Sequence, residues 1–196
     1  MNIGGFGSVI HADSKNGEPN SFMPRMRVYA KCLESKISDM SDILIEIFTE
    51  SIFTNKKRIR EIIEEDQIGI EMSLQSYAPT IISNRIDSYQ TASGAYNDAQ
   101  ILPYNNYLKD LLKDFDNKFD TLAEDLKDVY NRLLNRNGLV VGVTCTDDLY
   151  KKFIPDLTKI LKSLPVDEYP IANYDYPLIA RNEGLYSQSR VQYVAS

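Results

Sequence analysis

Residues 43–76 read ILIEIFTESIFTNKKRIREIIEEDQIGIEMSLQS, and the order of parts in this stretch decides the fold. An apolar helix ends at a Thr-Glu-Ser-Ile-Phe turn, Thr49 to Phe53. Asn55-Lys56-Lys57-Arg58 then opens a second helix that runs through Glu64-Glu65-Asp66. Upstream, Met40, Leu44, Ile47 and Phe48 fall at i, i+4, i+7 and i+8, the single apolar stripe of a helix that starts near Ser38. The second helix is predicted from Asn55 to Leu74, and Pro79 predicts either its end or a kink. Lys57 with Glu61, and Arg60 with Glu64, lie four residues apart, so the charges read as an ion-pair ladder on a solvated face. Three consecutive acids on a helix point three ways, which argues against a carboxylate site at Glu64-Glu65-Asp66.

Working outward, the amino-terminal side changes period. From Gly5 to Asp13, Phe6, Ser8, Ile10 and Ala12 alternate with Gly7, Val9, His11 and Asp13. From Arg25 to Cys32, Met26, Val28, Ala30 and Cys32 alternate with Arg25, Arg27, Tyr29 and Lys31. Alternation of this kind predicts two strands. Ser14–Asn20 between them, with Asn16-Gly17 and Pro19, predicts a turn, so the pair reads as an antiparallel hairpin with an apolar and a charged face.

On the carboxyl-terminal side, residues 80–103 are polar and predict helix followed by loop. Tyr104, Leu108, Leu111, Leu112 and Phe115 predict one amphipathic helix. Phe119, Leu122, Ala123, Leu126, Val129, Tyr130 and Leu133 predict another. Asn135 to Gly138 is a helix stop, and Leu139 to Cys145, LVVGVTC, predicts an interior strand. Thr146-Asp147-Asp148 caps a helix carrying Leu149, Phe153, Leu157, Ile160, Leu161 and Leu164, with Pro155 a candidate break and Pro165 the end. Residues 166–177, VDEYPIANYDYP, read as a linker, and Ser189 to Ala195 as a last strand. The expected fold class is therefore α+β: an antiparallel sheet covered on one face by helices, with residues 1–165 as the domain and 166–196 as linker and first strand of another.

Composition narrows the function. A net charge of −6 over 196 residues argues against a nucleic-acid surface, which needs a basic face. No window approaches the roughly 18 apolar residues of a membrane span. The opening MNIGGFGSVI has neither a basic n-region nor a long apolar h-region, so no secretory leader is visible. Cys32 and Cys145 have no Cys or His at metal-site spacing. They read as two buried free thiols in a reducing, cytoplasmic setting.

Several of these parts together resemble the insulinase and pitrilysin zinc peptidases, in the presequence protease branch. They are the helix pair of residues 43–76 with its turn and Phe53, the Gly4-Gly5 opening, Lys31-Cys32-Leu33 after the second strand, and Asn135-Arg136-Asn137-Gly138-Leu139-Val140-Val141-Gly142-Val143-Thr144. The tail Asn182 to Ala195 belongs with them. The resemblance implies the non-catalytic third domain of such an enzyme. It implies α+β sandwiches that close around a peptide-sized chamber, with zinc held in the first domain. The catalytic signature of that class, H-x-x-E-H, places two histidines on zinc with the glutamate as general base. This sequence has one histidine, His11, so the signature is not within it.

The expected site is accordingly empty: no catalytic, cofactor-binding or metal residue is assigned, and any zinc belongs to the parent enzyme. His11 with Asp13 forms a same-face pair that a metal could use, but a surface pair is the simpler reading. Tyr104 and Tyr130, two of thirteen tyrosines, read as core or rim and not as a stacking platform, and Tyr169, Tyr174 and Tyr176 as anchors of the linker. Expected partners are other domains of the parent peptidase and a peptide substrate, with no nucleic acid and no membrane. The layer that the family places ahead of the Gly-Gly opening has no counterpart here, which predicts an exposed sheet edge and self-association. A free-standing α+β interaction module without catalysis is the alternative.

Overall fold

A computed structural model describes residues 4–170, 174–185 and 193–194. Two strands and seven α-helices are present among them, an α+β composition. The helices are α1 (Ile37–Thr49), α2 (Lys56–Ser76), α3 (Ala78–Gln90), α4 (Ala92–Ala99), α5 (Leu102–Lys113), α6 (Phe115–Leu133) and α7 (Asp147–Ser163), and a short 3-10 turn, Glu34–Lys36, precedes α1. The chain divides into two compact units. One holds Met1–Val9, Met26–Thr54 and Thr121–Ile171, the other Ile10–Arg25, Asn55–Asp120 and Ala172–Ser196.

Strands β1 (Gly5–Lys15) and β2 (Glu18–Lys31) form the predicted hairpin. Its turn is only Asn16-Gly17, because Gly17 at φ 78° takes the left-handed conformation that a two-residue hairpin loop demands. The Gly4 amide donates to the Lys31 carbonyl at 2.7 Å and closes the base. The expected buried face is not realised: Phe6 is 42% and Ile10 53% exposed, and Met26 is exposed as well. A sheet of two strands has no second layer for every apolar position along its length.

In the first unit α1 and α7 pack side by side. Lys152 Nζ meets Glu34 at 2.5 Å, Ser38 donates to Asp156 at 3.0 Å, and Lys159 pairs with Asp42, so the two segments run in the same direction. Beneath these polar ties lie Met40, Ile160 and Leu164, all buried, in agreement with the predicted stripes. Pro155 stays inside α7 and does not end it. On α6, Tyr130 donates to the Ile47 carbonyl at 2.8 Å and meets the Phe53 ring edge-on at 5.5 Å. Val129 and Leu133 of the same predicted stripe are exposed, since the spacing continues past what the unit covers. Buried Asn135 forms a clasp: its amide donates to the Asp167 carbonyl at 2.7 Å, and its Oδ1 accepts from the Asn137 and Asp167 amides.

Leu139 to Cys145 departs most from expectation. It forms no strand, and Val140 is 91% exposed with Leu139, Val141 and Val143 also open to solvent. The run is apolar enough for an interior strand, but among the described residues no sheet edge receives it. Cys145 is therefore exposed and not buried, while Cys32 is half-buried and its thiol is pushed up by that burial.

The second unit is helical. Asn55 caps α2 by accepting from the Arg58 amide at 3.0 Å. Residues 80–103, expected as helix then loop, are largely α3 and α4. Pro79 sits in the first turn of α3 and Pro103 in that of α5, where a missing amide costs nothing, so neither proline kinks a helix. Thr91 caps α4 by accepting from the Gly94 amide at 3.0 Å. A side chain at Gly94 would collide with the Asp87 carbonyl, which makes glycine obligatory at this close approach. Leu108, Leu111, Phe115 and Phe119 form the core, as the spacing predicts. The predicted strand Ser189 to Ala195 falls largely outside the described residues.

Candidate functional site

The helical unit contains two polar assemblies, both built by short-range rules. Arg85 and Tyr89 lie four residues apart on α3 and so share a face. Arg85 Nη1 donates to Asp98 at 2.5 Å, while Nε and Nη2 grip the Glu183 carboxylate as a fork at 2.7 and 3.2 Å. Tyr89 donates its hydroxyl to the same carboxylate, and its ring lies 5.8 Å from the guanidinium. Asp98 is buried, its side chain 7% exposed, so the guanidinium compensates a charge removed from water.

Electrostatics fixes what this cluster can do. Hydrogen bonds from Arg85 first, and then from Tyr89, hold Glu183 down at about 2. The same carboxylate, ahead of Asp98, holds the Arg85 charge firmly in place, and it pushes the Tyr89 phenol up. A general base works best with a pKa near the operating pH, and Glu183 is far below it. The cluster is a closed joint that ties residue 183 to α3 and α4.

The second assembly is the seam between α2 and α5. Asp66 accepts from Tyr104 at 2.8 Å, Gln67 donates to buried Asn105 at 3.4 Å, and Glu71 pairs with Lys109 at 2.6 Å, three contacts one register apart. Burial and then the Asp66 carboxylate push Tyr104 up to about 12, so it remains a neutral donor. Asp66, one of the three consecutive acids, thus serves helix packing. Glu64 accepts from Arg60 at 2.9 Å, and Lys57 lies 3.9 Å from Glu61, which realises the predicted ladder.

The other sequence candidates are dispersed. His11 is half-buried on β1, and the Asp13 carboxylate lies 4.0 Å from Arg25. Among the described residues no group of three or more His, Cys, Asp or Glu side chains gathers as a metal site would require. A peptidase zinc needs about three protein ligands, and the donor set of this chain, with one histidine, does not fit it. Tyr174 and Tyr176 pack on Phe22 at 5.2 and 6.0 Å, and Arg132 stacks on Tyr169 at 5.2 Å, so all three linker tyrosines act as anchors. The Arg85 joint escaped the sequence reading because Glu183 is 98 residues away. Only the i, i+4 pair Arg85 and Tyr89 signalled it.

An α+β unit whose charged groups are spent on packing defines a class: a domain that accompanies chemistry located elsewhere. Residues 1–111 match the family described as Peptidase M16, subfamily C, associated, and the chain belongs to that family. It is 26% identical over 191 residues to Protein HypA of Clostridium perfringens (strain 13 / Type A), covering 97% of this chain and 19% of that protein. It is 24% identical over 171 residues to Presequence protease 1, chloroplastic/mitochondrial, of Arabidopsis thaliana, covering 85% of this chain and 16% of that protein. The chain thus spans less than a fifth of the length of these relatives. Among the described residues no helix is long and apolar enough to cross a membrane.

Proposed function

We propose that the chain is the non-catalytic third-domain portion of a larger zinc metallopeptidase that degrades peptides, and that it forms part of the wall of the substrate chamber. The observation that carries this reading is membership of a peptidase-associated family in a chain that holds a single histidine. Zinc and general base then lie elsewhere in the same polypeptide. Its partners are the other domains and the peptide held between them. A reducing compartment such as the cytoplasm accommodates Cys32 and Cys145 as free thiols.

Two measurements test this. The purified chain, assayed with an unstructured peptide and analysed for metal, is expected to show neither hydrolysis nor stoichiometric zinc; both together would overturn the reading. Sequencing the coding region upstream is expected to reveal H-x-x-E-H in the same reading frame. A frame confined to residues 1–196 would favour the free-standing module instead.

A further inference from the structure

The run Leu139 to Cys145 is the largest unspent feature of the chain. It contains no charge and no proline, and four of its seven residues, Val140, Val141, Val143 and Thr144, are β-branched. Such a segment has the composition of a strand that pairs with its like. Every one of its residues is exposed, and among the described residues no backbone amide or carbonyl of residues 140–144 meets another backbone group. Both halves of a strand interaction, apolar side chains and free backbone groups, are therefore available together.

The flanks choose the occupant. Arg136 precedes the run and Asp147-Asp148 follows it, all exposed. No ion pair engages Arg136 among the described residues, and Asp148 has only a 4.0 Å approach to Lys151. Placed antiparallel to a second copy about Gly142, the run sets Val141 opposite Val143, Val140 opposite Thr144 and Leu139 opposite Cys145. The same register brings Arg136 of each copy toward Asp148 of the other. A parallel register would oppose like charges instead.

We propose that residues 139–145 form an intermolecular antiparallel strand pair, so that this chain associates as a two-fold dimer through that run. An isologous pairing repeats each contact twice, which is how a short segment becomes self-complementary. Two seven-residue strands bury less than the roughly 1,200 Å² at the low end of stable interfaces, so the dimer dissociates on dilution. The proposal stands apart from the peptidase reading, and either can fail alone.

Sedimentation velocity over a concentration series tests it, with the mass expected to rise from the 22.4 kDa monomer toward twice that value. Val140→Lys, at an outward position, is expected to weaken association at least tenfold with helicity unchanged. Nothing lies within 4 Å of where a Cβ would stand at Gly142, so Gly142→Val is expected to tighten it without strain. Gly142→Cys in oxidised glutathione is expected to yield a dimer linked through residue 142. A chain monomeric at every concentration, a dimer indifferent to Val140→Lys, or no crosslink at residue 142 would each overturn the proposal. Protection of the same amides only within a longer polypeptide would overturn it too, by making the occupant intramolecular.

Discussion

Helix α7 and the run immediately before it have similar apolar content and opposite fates. In α7, Ile160 is buried along with the adjoining Leu164, while Val140 and Val141 stand in solvent. A helix satisfies its backbone within its own turns and needs only a neighbour for one stripe, which α1 provides. A strand satisfies nothing alone, since its amides and carbonyls point sideways to a partner. Hydrophobic composition therefore fixes location only when the element that carries it can close its own hydrogen bonds.

The contrast between closed and open parts is broken most severely at Arg85. Arg85→Ala leaves the Asp98 carboxylate buried without its cation, and is expected to cost on the order of 3–5 kcal/mol in urea unfolding. A loss below about 1 kcal/mol would show that water replaces the guanidinium. Ile160→Ala, on the buried stripe of α7, is expected to cost about 3 kcal/mol.

A milder probe is acid. Glu183 titrates at about 2 in the folded protein, below its ordinary value of 4.5, so its contribution is complete above about 4.5 and is lost as pH falls toward 2. Unfolding midpoints in the Arg85→Ala variant are expected to lose much of that acid dependence. At the small end, Val140→Ala is expected to change monomer stability by less than about 0.5 kcal/mol, because the side chain touches little. A larger loss would mean that the run is covered in solution.

What was legible in the sequence follows the same division. The stripes of α1, α5 and α7, the Asn55 and Thr146 caps and the ladder on α2 could be read because each depends on residues within a few turns. The hairpin turn could be read from Asn16-Gly17, though the burial of Phe6 could not, since it depends on a layer that the local pattern does not specify. Residues 80–103 misled through their polarity. α3 and α4 are short, amphipathic helices with a cap at Thr91 and prolines at helix starts, signals that a polar composition conceals. The absence of a catalytic assignment rested on counting one histidine, whereas Arg85, Asp98 and Glu183 came together only through the tertiary fold.

The Asn135 clasp has a consequence for how such a chain varies. It joins residue 135 to residue 167, so the run and α7 leave and return at one point. Loop closure depends only weakly on length, roughly 0.6 kcal/mol per doubling. Insertions or deletions between the two ends therefore leave the doorway where it is, and residues 136–166 can be lengthened, trimmed or exchanged as a cassette.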